Sequence, residues 1–286
     1  MKILVFGKTG QVGKELARSC PDDIDAVFLG REAADLLDPA QCAAVVMRND
    51  IAAVINAAAW TAVDEAEGDE PAATVVNADA PLAMAQACAK KSIPFLHLST
   101  DYVFDGAGDI AFEPDHQPAP LGAYGRSKLA GETGIGESGA HALILRTSWV
   151  VSAHGKNFVK TMLRLGGERD SLRVVADQFG GPTPAASIAD ALYIAARKMI
   201  ADRAGGIHHF AGTPDTSWAG FARTIMKRAG LACQIEDIAT SDYPTPAQRP
   251  LNSRLDCSSF ASDFGVQRPD WRAGLDAILS DLGARQ

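Results

Sequence analysis

Four apolar residues, Ile3–Phe6, run directly into Gly7-Lys8-Thr9-Gly10-Gln11-Val12-Gly13, and a stretch of helical length follows, Gln11–Cys20. No other feature limits the fold so strongly. A buried strand that ends in glycines and opens a helix gathers bare backbone N–H groups at one point, where the helix dipole also favours an anion. The spacing is G-x-x-G-x-x-G, not the G-x-G-x-x-G of common dehydrogenases. A tight turn alone could use the same glycines, but the strand–loop–helix setting favours a cradle for a pyrophosphate.

The rest of the first half repeats the rhythm. Ala26–Leu29, Ala53–Ile55, Phe95–Leu98 and Leu143–Leu145 are short apolar runs without alternation, and Ala72–Lys91 and Tyr124–Glu132 have helical length between them. Apolar strands separated by helices predict a parallel sheet covered on both faces. Further strands are expected at Arg173–Val175 and Ile207–Phe210, and helices at Ser187–Ile200, Ser217–Ala229 and Arg272–Leu282. The predicted fold is α/β: a doubly wound, Rossmann-type parallel sheet with a smaller substrate-binding lobe. Residues 1–149 form the dinucleotide-binding domain in this reading. Residues 150–286 form mostly the lobe, with some segments returning to the sheet. The proline-rich stretch Tyr243–Pro250 reads as a rigid loop.

With 286 residues, a chain can bury a core without disulfides or metals. The net charge of −8 opposes a dedicated nucleic-acid binder, although a local basic pocket for one nucleotide stays open. The five cysteines, Cys20, Cys42, Cys88, Cys233 and Cys257, are scattered without C-x-x-C spacing and read as buried apolar residues in a reducing cytoplasm. The longest apolar stretch, Ile51–Val63, is too short for a membrane span and contains Asn56. No membrane partner is expected.

Cofactor choice should lie at the end of the second strand, where an acid would bind the ribose 2′-hydroxyl of NAD. The chain there reads Leu29-Gly30-Arg31. Arg31 suits a 2′-phosphate and tilts the choice to NADPH, with NADH possible; a solvated surface arginine would look the same. Asp35 and Leu36 follow closely and are counted with Arg31 as cofactor candidates. Asn56-Ala57-Ala58-Ala59 ends the third strand in small residues that would let a cofactor approach, and Trp60 beside it suits packing or a cofactor wall equally.

Tyr124-Gly125-Arg126-Ser127-Lys128 puts a tyrosine and a lysine on one helix face. A phenol alone holds its proton to a pKa of about 10; a nearby ammonium stabilises the phenolate and makes Tyr124 a proton donor suited to a carbonyl under reduction. Ser99-Thr100-Asp101-Tyr102-Val103-Phe104 leaves the fourth strand at its carboxyl end, where open α/β sheets place ligands. Thr100 is the candidate to hydrogen-bond the carbonyl, although Thr100 and Asp101 could merely cap a turn.

These residues resemble the extended short-chain dehydrogenases that act on sugar nucleotides, over essentially the whole chain. Matches include Gly7 to Gly13, Asn56 to Asp64, Ser99 to Phe104 and Tyr124 to Lys128. Arg146-Thr147-Ser148-Trp149, Asp177-Gln178-Phe179-Gly180 and Tyr243-Pro244-Thr245-Pro246 also match, and the last run continues through Arg249, Pro250, Asn252 and Ser253. The resemblance implies transfer of a hydride from NADPH or NADH to C4 of dTDP-4-dehydro-L-rhamnose, with catalytic Tyr124, Lys128 and Thr100. It implies cofactor contacts at Gly10, Gln11, Val12, Thr61, Tyr124 and Lys128, the last holding the ribose, sugar contacts at Thr100, Asp101 and Trp149, and diphosphate or deoxythymidine contacts at Arg249 and Asn252. Some members dimerise around magnesium held by carboxylates. One corresponds to Glu15, but the other position is Ala186 here, so a metal is not expected and Glu15 reads as a solvated helix charge. The chain is expected to be a monomer or a homodimer. An epimerase or a 4,6-dehydratase on the same scaffold is a rival, but Tyr102 stands where a dehydratase carries an acid. A non-catalytic NADP-binding regulatory subunit is the rival from another class.

Overall fold

A computed structural model describes residues 1–284. Its centre is a six-stranded parallel sheet. Strands β1 (Lys2–Phe6), β2 (Asp25–Leu29), β3 (Ala53–Asn56), β4 (Phe95–Thr100) and β5 (Ala142–Thr147) lie in the order β5-β4-β3-β1-β2, and the strand Gly206–His209 pairs with β5 at the edge. The chain therefore moves one way from β1 to β2 and then crosses back to β3. The carboxyl ends of β1 and β3 form the topological switch point, where such sheets open a crevice.

Alternation within the strands divides the core in two. Ile3 and Val5 of β1 face the helix Ala185–Ala201, meeting Ile188, Leu192 and Met199. Leu4 and Phe6 face the other way, toward Val46, Met84 and Cys88. Each such side chain, fully buried, contributes roughly 2 kcal/mol. Helix α1 (Gln11–Arg18) lies on the first face and α2 (Pro39–Arg48) on the second. A third core, built around Phe221, Ile225, Trp271 and Leu275, lies under the small sheets of the later chain. The elements Ala185–Ala201 and Gly206–His209 belong to the main sheet although they lie late in sequence.

The structure adds to the sequence-based expectations at several places, among them the helices Phe158–Glu168 and Ser258–Phe264. Helix α2 was not expected, yet Asp38 caps it by accepting from the Gln41 N–H at 2.9 Å, and Pro39 fills its first turn. The strand Ser171–Val175 pairs in parallel with Gln234–Ile238, a half-exposed strand not expected from the sequence. A short helix α3 (Val63–Ala66) precedes this segment, and the single helix expected over Ala72–Lys91 is a run of α4 (Glu70–Thr74), a π-turn at Val75–Asp79 and α5 (Ala80–Lys91). Four of the cysteines are buried, Cys20 is half-buried, and all five are free thiols. No helix among the described residues is long and apolar enough to cross a membrane.

Candidate active site

The glycine loop sits at the switch point and touches the backbone after β3. Gly7 has φ +99°, and a Cβ there would stand 2.7 Å from the Ala57 carbonyl carbon. At Gly13 a Cβ would meet the Gly7 carbonyl oxygen at 2.0 Å. The fold itself requires both. Gly10 differs: a Cβ would find nothing nearer than the Gly7 oxygen at 3.4 Å, so the protein has room for a side chain and only an approaching ligand would object. Gly10 is the N-cap of α1 without a side-chain cap, and the first turn carries no acid. The first N–H groups of α1 therefore lack helical partners and are available to an anion. This arrangement fits a dinucleotide pyrophosphate.

Val12 is buried against the core, so it too offers only its backbone. Gln11 gives its amide to the later chain. Its Nε2 donates to the Val150 carbonyl at 3.3 Å, and its Oε1 accepts from Ser152 Oγ and Asn157 Nδ2, both at 2.9 Å. Arg31, at the end of β2, is exposed and makes no hydrogen bond or ion pair among the described residues. Asp35 is turned into its own loop, where its Oδ1 accepts from the Leu37 N–H, and Leu36 is buried. Thr61 is exposed, and Ala59 is half-buried on the same rim.

Helix α6 (Ala123–Glu137) carries the tyrosine and the lysine, and its position is fixed by close approach on two sides. A Cβ on Gly125 would meet the Tyr102 carbonyl at 2.2 Å, and one on Gly131 would meet the Asn77 carbonyl at 2.1 Å. The second contact explains the π-turn, which brings Asn77 up to α6: Asn77 Nδ2 donates to Ser127 Oγ at 3.0 Å and to the Trp60 carbonyl at 3.1 Å. Glu67 supplies the missing cap, accepting from the Ala123 N–H at 2.8 Å, where the helix dipole favours its charge. Trp60 packs beside Tyr124 with Ala66 and Ala73.

Tyr124 and Lys128 thus stand over the end of β4. Burial pushes the Tyr124 phenol up to about 12, the Thr100 hydroxyl pulls it down, and the Asp101 charge raises it further. Thr100 Oγ1 donates to Asp101 Oδ1 at 3.1 Å and accepts from the Tyr102 N–H at 3.2 Å. Asp101 is buried, its Oδ2 has no partner, and desolvation pushes it up to about 6 against the hydroxyls of Ser253 and Thr100. Burial lowers the Lys128 ammonium to about 8, while Glu132 one turn on opposes the shift. Its Nζ donates to the Leu98 carbonyl at 2.7 Å and lies 2.9 Å from His97 Nε2.

The wall opposite comes from the later chain. Trp149 has φ +49° and stacks on Trp218 with ring centroids 3.6 Å apart. Arg249 forks onto Asp64, at 3.1 and 2.8 Å, and the same carboxylate accepts from the Ala247 N–H. The proline-rich loop is thereby tied to the start of α3. The Arg249 fork is already engaged. Asn252, expected to contact nucleotide, uses its amide internally: Nδ2 donates to the Ile110 carbonyl and Oδ1 accepts from the Arg254 N–H and side chain. It shapes the wall from within the protein.

Two features were not read from the sequence. Arg146 and Glu132, each 2% exposed, form a bidentate pair that joins β5 to α6, with Phe104 under the guanidinium. Glu15, expected to be a solvated charge, is buried at 2% exposure. Arg18 approaches it at 3.0 Å and His154 at 3.5 Å, because the face of α1 that carries it packs under the later chain.

Comparison with known proteins agrees with this architecture. The family model described as RmlD substrate binding domain matches residues 1–284. A dTDP-4-dehydrorhamnose reductase of Burkholderia thailandensis is 44% identical over 99% of both chains, and that of Escherichia coli K12 is 40% identical over 99% of this chain and 98% of its own. The crystal structure of the Bacillus anthracis dTDP-4-dehydrorhamnose reductase in complex with NADP superposes with a TM-score of 0.92 at 32% identity, covering 98% of this chain and 99% of that one. A glycine cradle at the switch point, a Tyr-x-x-x-Lys helix over β4 and full-length similarity to these enzymes lead to one conclusion: the chain belongs to the dTDP-4-dehydrorhamnose reductase family.

Proposed function

We propose that this protein reduces the C4 keto group of dTDP-4-dehydro-L-rhamnose to give dTDP-L-rhamnose, with NADPH as the preferred cofactor and Tyr124 as the proton donor. One observation carries the reading: half-buried Tyr124 and buried Lys128 and Thr100 lie together at the carboxyl end of β4, the edge of the sheet at which the glycine loop opens α1.

The backbone of Gly7–Gly13 would hold the pyrophosphate, Arg31 the 2′-phosphate, and Ala59 and Thr61 the rim beyond it, with Asp35 and Leu36 on the adenine side. Bound NADPH would supply the hydride. The chain's own residues handle the proton. A phenol held up at about 12 keeps its hydrogen at neutral pH, the state a donor needs before reduction. As charge grows on the keto oxygen, Thr100 orients that oxygen and Tyr124 gives it the phenolic proton. The Lys128 ammonium then faces a phenolate, and opposite charges in a buried site stabilise the product state. Solvent restores the proton. Asp101 and Trp149 are proposed contacts to the sugar. Arg249 is proposed for the diphosphate, which it would share with Asp64.

Absorbance at 340 nm tests the reading, with purified protein, NADPH and dTDP-4-dehydro-L-rhamnose generated in place. Oxidation should follow the sugar, and Tyr124→Phe should lower turnover by roughly 10²-fold while NADPH binding persists. Near-normal turnover in Tyr124→Phe removes the assignment of the acid. NADPH binding without oxidation moves the protein to the regulatory-subunit reading.

A further inference from the structure

His97 lies in the middle of β4, fully buried, and both ring nitrogens have partners. Nδ1 lies 3.1 Å from Asn56 Nδ2 on β3, and Nε2 lies 2.9 Å from Lys128 Nζ on α6. The orientation of Asn56 is set independently, because its Oδ1 accepts from the Ala58 N–H at 3.1 Å. The Asn56 amide therefore donates to Nδ1, and a neutral imidazole must carry its hydrogen on Nε2. That hydrogen points at Lys128 Nζ. It can be accepted only by an amine lone pair, while Nζ gives one of its own hydrogens to Leu98.

If Lys128 is an ammonium it has no lone pair, and the chain must reverse. The imidazole then carries its hydrogen on Nδ1, and Asn56 turns its oxygen toward it, giving up the bond from Ala58. We infer that His97 is a positioning residue for the Tyr124–Lys128 pair: its tautomer, set by Asn56, determines whether Lys128 stands as an amine or an ammonium. One proton enters from solvent and resides on Nζ; the imidazole stays neutral and only its hydrogen changes nitrogen. Nothing else is transferred. Burial keeps the ring neutral, since desolvation and the Lys128 charge both hold His97 well below its ordinary value. Few charges compete around the pair. Asn56 and Asn77 are neutral, Lys128 is the charge that acts on His97, and Glu132, paired with Arg146, is the one that acts on Lys128 and favours its ammonium.

The kinetic half of this inference rests on the proposed role of Tyr124 and Lys128, but the tautomer half does not. Imidazole ¹⁵N spectra of the full chain without cofactor follow His97 through pH, its signals identified by their loss in His97→Gln. The expected result is a change from Nδ1–H at low pH to Nε2–H at high pH, without an imidazolium, and no change in Lys128→Met. A single tautomer throughout, or a charged ring, overturns the inference. In kinetics, His97→Gln presents an amide oxygen that accepts from the ammonium at every pH. The alkaline limb of kcat/KM should move up by about one pH unit with KM for NADPH unchanged. A uniform loss of kcat with the limb in place overturns it too. If the wild type turns over no sugar, the proposed function has failed and the ¹⁵N titration still decides the coupling.

Discussion

Gly10 and Gly13 lie three residues apart in one loop, yet substitution by alanine should have opposite consequences. At Gly13 the new Cβ meets the Gly7 carbonyl oxygen at 2.0 Å, backbone against backbone, and no side chain can give way. Overpacking of that severity costs about 3 kcal/mol, or roughly 6 °C of midpoint for a chain of this size. At Gly10 the backbone is φ −73°, ψ 168°, which alanine adopts freely, and the nearest atom is 3.4 Å away. The change in the free protein should be only about 0.5–1 kcal/mol, the usual difference between glycine and alanine at an N-cap. The methyl group instead occupies the approach of the pyrophosphate to the bare N–H groups. A penalty of about 2.7 kcal/mol there is a hundredfold loss of affinity. Thermal unfolding with and without NADPH reads both effects. At a hundred times its Kd the cofactor stabilises wild type by about 2.7 kcal/mol, and at the same concentration Gly10→Ala should retain about 0.4 kcal/mol. A Gly10→Ala protein that unfolds at the wild-type temperature and gains the full shift from NADPH would refute the assignment of this loop.

The other outcomes concern charge. Asp101, pushed up to about 6 by burial, binds its proton more tightly folded than unfolded, so its carboxylate weakens the fold above pH 6 and the penalty fades as pH falls toward 4. Asp101→Asn should therefore gain up to about 3 kcal/mol in urea unfolding at pH 7.5 and almost nothing at pH 4, and it should lose turnover; an equal gain at both pH values contradicts the burial argument. Glu132→Gln leaves the Arg146 guanidinium buried without its counter-charge and should cost about 3–5 kcal/mol, most of it recovered by Glu132→Leu with Arg146→Met. A single variant that loses less than 1 kcal/mol in the same assay removes that account of the β5–α6 joint. Arg31→Ala should weaken NADPH about tenfold in a binding titration and leave NADH unchanged, the loss of one charge-assisted phosphate contact; equal loss of both makes Arg31 structural.

The parts of this molecule that the sequence displays are those in which local chemistry and position coincide. The strands of the main sheet are apolar on both faces, so Ile3–Phe6 and Leu143–Leu145 stand out without knowledge of their neighbours. Tyr124 and Lys128 are legible because helical spacing alone puts them on one face. Elsewhere the determining contact is distant in sequence. Nothing near Glu15 says that the segment around His154 will cover it, and nothing near Asn252 says that Ile110 and Arg254 will take its amide. The π-turn is of the same kind, since its cause is the approach of Gly131 from another helix. Helix α2 is a different case. Its Asp38-Pro39 start is a local cap signal, carried by the residues themselves and not by a distant contact.

The two sides of the crevice are joined by polar ties, and this bears on how the site can be both rigid and open. Gln11, the first residue of α1, bonds to Val150, Ser152 and Asn157, while Asp64 bonds to Ala247 and Arg249. An apolar contact across the mouth would fix the geometry only by filling the space a ligand needs, because dispersion requires surfaces in close packing. A directional bond fixes distance and angle with few atoms. The ties also have different natures. The Gln11 bonds are neutral and half-buried, and they hold the glycine loop, the proposed pyrophosphate cradle, against the strand that follows Trp149. The Asp64–Arg249 pair is partly exposed, so its net contribution in the free protein is modest, and under the proposed function the arginine would turn to a diphosphate at little loss. In the proposed function the glycine loop is thus anchored for a cofactor, whereas the proline-rich loop is held by a bond that a substrate anion would replace.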